Sequence, residues 1–155
     1  MHSWARCEDL GSQTWAVGLS LGADHPARSR RPPTRLHLVL DNSGSMGSST
    51  GHARECFADL VELASGPCSL VAFDSEARLL GDGFRTPLEV RAAKLPPQGR
   101  TNITAGIEAA VQVIRSCERE AEDGGCGERT HHVLILLSDG AHVVGPRPQD
   151  RLPEL

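Results

Sequence analysis

A chain of 155 residues, 39% apolar and 23% charged, has the length and balance of one globular domain with a core of its own. Aromatic residues make up only 3%, so the core must be aliphatic, and base stacking on aromatic platforms has little to build on. A net charge of -4 opposes a nucleic-acid backbone as partner, and no apolar run approaches the ~20 residues of a membrane span.

The N-terminal "MHSWARCEDLGS" carries Arg6, Glu8 and Asp9 where a signal peptide has its apolar segment. Five cysteines form no closed disulfide framework, and Cys56, Cys68 and Cys117 fall on apolar positions of expected elements. These features predict a reducing, cytoplasmic compartment. "TWAVGLSL", Thr14 to Leu21, alternates as a short strand does. The linker "GADHPARSRRPP" follows, its Arg28, Arg30 and Arg31 read as solvated loop.

"RLHLVL", Arg35 to Leu40, is nearly continuous in apolar residues, the pattern of a strand covered on both faces. Ala53, Cys56, Phe57, Leu60, Val61 and Ala64 then recur at helical spacing, with Ser49 or Thr50 as cap and Ser65-Gly66-Pro67 as the stop. "CSLVAFD", Cys68 to Asp74, is a second buried strand. "EARLL", Glu76 to Leu80, follows after a single residue, so it must pair antiparallel, with Asp74 beginning the hairpin turn. A short helix is expected around Leu88 to Leu95, ended by Pro96-Pro97. Ile103, Ile107, Ala110, Val111, Ile114 and Cys117 form one stripe of a longer helix. "HHVLILLSDG", His131 to Gly140, is the most apolar strand, and the Pro-rich tail after it shows no periodicity.

Strand, helix, strand, hairpin, helix, strand predicts an α/β fold: a three-layer, Rossmann-like, mostly parallel sheet with helices on both faces and one antiparallel edge hairpin. The expected divisions are an N-terminal strand and linker over 1–34, the domain over 35–145 and an irregular tail over 146–155.

The chemistry concentrates where apolar strands stop. "LVLDNSGSMG" crowds Asp41, Ser43 and Ser45 into five residues. Hard cations prefer such oxygen ligands, although a tight turn alone would use the same residues. In open α/β sheets ligands gather at the carboxyl ends of strands. Asp139 ends another apolar strand, and "GRTNIT" presents Thr101 ahead of the long helix. If the two aspartate-tipped strands are neighbours, Asp41, Ser43, Ser45, Thr101 and Asp139 converge from three loops around a cation.

These three motifs, in this order and at these separations, resemble the von Willebrand factor type A (VWA) domain and its metal-ion-dependent adhesion site. The resemblance covers residues 14 to 145. It implies that Ser43 and Ser45 ligate Mg2+ or Mn2+ directly, that Asp41 and Asp139 hold metal-bound waters, and that Thr101 binds directly or through water. It further implies a non-enzymatic protein-binding module in which a partner's Asp or Glu carboxylate completes the metal shell. Arg100, Asn42 and Met46 would form the partner-binding rim. The family adds strands and helices after the second aspartate strand, so the chain as given is expected to be truncated, with the His131–Ser138 strand left as an unpaired apolar edge.

Other readings compete at single residues. Asp41 at a strand end could serve as a nucleophile in Mg2+-dependent phosphoryl transfer, but no second aspartate lies two residues on and no positioned lysine appears. A fragment that keeps the motif without independent activity is the other alternative. His131 and His132 face opposite sides of a strand and cannot share one metal. His37 reads as a hydrogen-bonded core histidine, and Cys117 and Cys126 lack zinc spacing.

Overall fold

Three apolar runs become the parallel centre of a five-stranded sheet. The structure, a computed structural model, describes residues 15–21, 33–64, 66–123 and 130–151. The readings made on the N-terminal segment, on the linker with Arg28, Arg30 and Arg31, and on Cys126 lie outside the described residues. The elements are β1 (Trp15–Leu21), β2 (Thr34–Asp41), α1 (Ser49–Leu63), β3 (Cys68–Phe73) and β4 (Ala77–Phe84). After these come α2 (Pro87–Ala92), α3 (Ile103–Asp123), β5 (His131–Ser138) and α4 (Pro148–Arg151). The strand order is β1-β5-β2-β3-β4, with β2 parallel to both β3 and β5, and β4 and β1 antiparallel at the two edges. This is the expected α/β class. Winding reverses at β2, so the crevice at its carboxyl end is the natural place for a ligand.

Alternation along β2 separates two cores. Leu38 and Leu40 face α1 and α2, where Phe57, Ala58, Val61, Leu70 and Val90 close a cluster. Val39 faces α3, packed with Val71, Phe73, Ile103, Ile107, Ala110 and Leu134. α3 can lie this close because Gly106 has no side chain: a Cβ there would stand 2.5 Å from Phe73 Cδ1. The helices therefore cover both faces, as the continuous apolar runs require.

A polar thread crosses the α3 face. His37 is fully buried, its Nδ1 2.8 Å from Ser69 Oγ and its Nε2 2.8 Å from His132 Nδ1. Each ring nitrogen of His37 thus has a partner, as a core histidine needs. Burial, with His132 and then Arg35 adding repulsion, pushes the His37 pKa down to about 4, and burial lowers that of His132 too. Arg35 pairs with Asp82 of β4 beside this thread.

Several expectations are corrected. β5 is not an unpaired edge: β1 pairs with it antiparallel along its length, from Trp15↔Ser138 to Leu21↔His132. The strand expected merely to precede the domain supplies the backbone partners that β5 would otherwise lack. α1 is entered through Ser48, without a side-chain cap from Ser49 or Thr50. α2 begins earlier than expected, because the Glu89 carboxylate accepts the Thr86 N–H at 2.8 Å and fixes the first turn. β4 runs on to Phe84, and the tail contains one short turn of helix at α4.

Candidate metal centre

Three loops meet at the carboxyl end of the sheet. Asp41 is the last residue of β2 and is 0% exposed. Its Oδ1 accepts the Ser43 N–H at 2.8 Å, so the carboxylate folds the loop that follows it. Its Oδ2 accepts the Ser138 hydroxyl at 2.5 Å, a contact made possible by the β2–β5 neighbourhood. No basic side chain forms an ion pair with Asp41 among the described residues. A buried carboxylate without a counter-charge is costly unless a cation or several hydrogen bonds compensate it.

The hydroxyls lie beside it. Ser43 Oγ is 3.0 Å from Ser45 Oγ, and Ser45 Oγ is 3.5 Å from Thr101 Oγ1. Thr101 is nearly fully buried and arrives on the loop before α3. That loop is tied on every side. The Gly44 N–H reaches the Gly99 carbonyl at 3.0 Å, Asn102 N–H reaches the Asp74 carbonyl at 2.7 Å, and Arg100 N–H reaches Ser75 Oγ at 2.9 Å. The Thr101 carbonyl accepts Val143 N–H at 2.9 Å and Val144 N–H at 3.2 Å, so the segment after β5 clamps the threonine from the other side. Asn102 Oδ1 accepts the Ala105 N–H and opens α3. Gly145, at φ +84°, passes so near Asn102 that a Cβ would stand 2.6 Å from its Oδ1.

The structure therefore brings Asp41, Ser43, Ser45 and Thr101 into one chain of contacts. Asp139 stands at the same rim, next to Ser138, but its Oδ1 accepts the Ala141 N–H at 3.0 Å and caps its own turn. It forms no hydrogen bond with the other four. Of the residues expected on the partner-binding rim, only Arg100 is exposed. Asn42 is 2% exposed and donates from Nδ2 to the Pro96 carbonyl, while Met46 is 8% exposed within the α1 core. Those two hold the loop from beneath, and placing them on a contact surface is corrected.

Ser138 was missed by sequence reasoning. Its Oγ also accepts the Gly140 N–H at 3.0 Å, linking the two aspartate-bearing loops. The signal was present in "LLSDG", where a hydroxyl precedes the aspartate on the strand face that carries Leu134 and Leu136.

The donor set is hydroxyl oxygens with two carboxylates, suited to a hard cation that binds oxygen at about 2.1 Å and keeps several waters. Among the described residues no group of three or more His, Cys, Asp or Glu side chains could hold a metal ion, so an ion at this rim would rest chiefly on the hydroxyls.

Comparisons with known proteins add the following. No protein-family model matches the chain. It is 30% identical over 119 residues to the uncharacterized protein YehP of Escherichia coli strain K12, an alignment covering 72% of this chain and 31% of that one. The chain thus spans about a third of the length of the curated relative it matches. Among solved structures it is similar to the proximal thread matrix protein 1 of the mussel byssus with a zinc-occupied MIDAS motif. That match has 16% identity and a TM-score of 0.44, over 51% of this chain and 24% of that one. The vWF domain of the pilus tip protein Mfa5 from Porphyromonas gingivalis aligns at 20% identity and a TM-score of 0.42, over 56% and 34%. A von Willebrand factor type A protein from Catenulispora acidiphila aligns at 15% identity and a TM-score of 0.42, over 62% and 24%.

Proposed function

We propose that this chain is a VWA-type, divalent-metal-dependent protein-binding module, with Mg2+ or Mn2+ held at the carboxyl end of the sheet. The observation that carries the reading is the fully buried Asp41 carboxylate, with no ion pair among the described residues, beside the Ser43–Ser45–Thr101 run of hydroxyls. In this proposal the three hydroxyls ligate the ion, and Asp41 and Asp139 orient its waters and balance its charge. Asp139 has one carboxylate oxygen outside its own turn for that role. A carboxylate from a partner protein replaces one of the remaining waters, adding a charge-assisted contact to an ion surrounded by neutral oxygens.

The module is read as non-enzymatic. Phosphoryl transfer through Asp41 is disfavoured by its neighbours in the chain: Ser43, not a second aspartate, stands two residues on, and no lysine follows in that loop. No described helix is long and apolar enough to cross a membrane, and Cys56, Cys68 and Cys117 are free thiols. A cytoplasmic setting is part of the same proposal.

The test is thermal unfolding with and without Mg2+. A ligand at a hundred times its dissociation constant stabilises by about 2.7 kcal/mol, a visible rise in Tm. Asp41→Ala should remove that rise. An equal response of wild type and variant to the ion would sink the assignment.

A further inference from the structure

The surface around Thr101 is two-sided. Thr101 sits between the β3–β4 hairpin, to which Arg100 is tied through Ser75, and the segment after β5, whose Val143 N–H bonds the Thr101 carbonyl. On the hairpin flank the Arg100 side chain is exposed and forms no ion pair among the described residues, although Asp41, Asp74 and Asp139 all lie at this rim. Glu76 on the same hairpin is paired instead with Arg78 at 3.8 Å. On the other flank Val143 is 62% exposed, one of four large apolar side chains so exposed in the described chain. The others, Leu63, Leu79 and Leu88, lie on α1, β4 and α2.

Arg100, next to Thr101 in the chain, is tied through its backbone N–H to Ser75 of the hairpin, and Val143 through its own to the Thr101 carbonyl, so the backbone of both residues borders the loop that carries the hydroxyl run. An exposed valine whose backbone is fastened beside a polar site costs little ordering entropy when a partner covers it, and burying it releases water from apolar surface. An exposed guanidinium without an internal acid pairs with a carboxylate from outside, bidentately where the approach allows.

We infer that the rim selects an acidic protein segment of defined polarity: a metal-bound Asp or Glu, flanked by an apolar side chain over Val143 and by a second acidic side chain at Arg100. This rests on the metal reading of the site and adds to it the choice of partner. The apolar flank sets the residence of the complex and the cationic flank steers its approach, so the contribution of Arg100 falls as salt is raised.

The probe is an array of short immobilised Gly/Ser peptides, each with one central Asp or Glu and all neighbour combinations on its two sides, exposed to the protein in Mg2+. The wild type should retain peptides with an apolar residue on one side of the acid and a second acid on the other, and discard those with both on one side. Val143→Ser should erase the apolar preference and weaken the selected peptides about three- to tenfold. Arg100→Gln should erase the preference for the second acid and weaken them about two- to fivefold at low salt. Neither residue is placed among the metal ligands, so the Mg2+-dependent rise in Tm should persist in both variants. If that rise persists and the selected pattern is the same in wild type, Val143→Ser and Arg100→Gln, the inference is overturned while the metal site stands. A lack of any flank preference, or of any retained peptide, overturns it equally. Loss of the Tm rise in the wild type itself would remove the metal reading and this inference with it.

Discussion

Acid should loosen this fold through the buried histidine pair. His37 and His132 are enclosed between β2, β5 and α3, with Ser69 of β3 at the far end of the thread. The charged groups acting on the pair are Arg35 on β2, Asp82 on β4, Glu118 on α3 and His131 on β5. Burial dominates, and it lowers the His37 pKa from 6.5 to about 4. The unfolded chain therefore binds more protons than the folded one between these two values. Stability is complete above pH 6.5 and is lost as pH falls through that window, by up to about 1.4 kcal/mol per pH unit for one group. Across the window His37 alone accounts for about 3 kcal/mol, and His132 acts in the same direction. Typical domains hold about 5–15 kcal/mol in total, so the loss is large. The assay is urea unfolding from pH 8 to 4.5 in EDTA, which keeps metal binding out of the profile. His37→Gln keeps a side chain able to bond both neighbours while removing the titration, so its profile should be flatter than that of the wild type. Parallel profiles for the two proteins would refute the reasoning.

Other outcomes follow from particular contacts. Gly106→Ala, which would favour a free helix, should instead cost about 1–3 kcal/mol here, because the new Cβ meets Phe73 and Val39; the shift of the urea midpoint checks this. Ser138→Ala should destabilise by about 1.5–3 kcal/mol by leaving Asp41 Oδ2 without its partner, and should weaken any metal response together with it. Among Cys56, Cys68 and Cys117, iodoacetamide should modify Cys56 first: it is exposed, while burial pushes the thiols of Cys68 and Cys117 up. Peptide mapping by mass spectrometry reads the order.

The fold was legible wherever one stretch of sequence sufficed. The runs of β2, β3 and β5 are apolar enough to require cover on both faces, and the single residue before "EARLL" forces an antiparallel hairpin. The place of β1 was not legible, because the partner of an edge strand is chosen by backbone groups far away in the chain. At the rim, the nearness of Asp41, Ser43, Ser45 and Thr101 could be inferred from loops at strand ends. Whether a loop side chain points in or out could not. Asn42 turns inward to the Pro96 carbonyl, 54 positions on, and Met46 fills a gap over α1. Ser138 escaped notice because its hydroxyl matters only once β5 lies beside β2. The histidine thread is similar: His37 read alone as a buried histidine, while its partner His132 became visible only through the β2–β5 pairing.

The central claim is that oxygen side chains at this rim hold a hard cation. Its most direct measurement is a titration of Mn2+ into the protein, followed by electron paramagnetic resonance of the free ion. The account predicts a single saturable site in the wild type, competed by Mg2+, and its loss in a Ser43→Ala/Ser45→Ala variant that stays folded by circular dichroism. Mn2+ uptake that is equal in the wild type and the folded variant would contradict it.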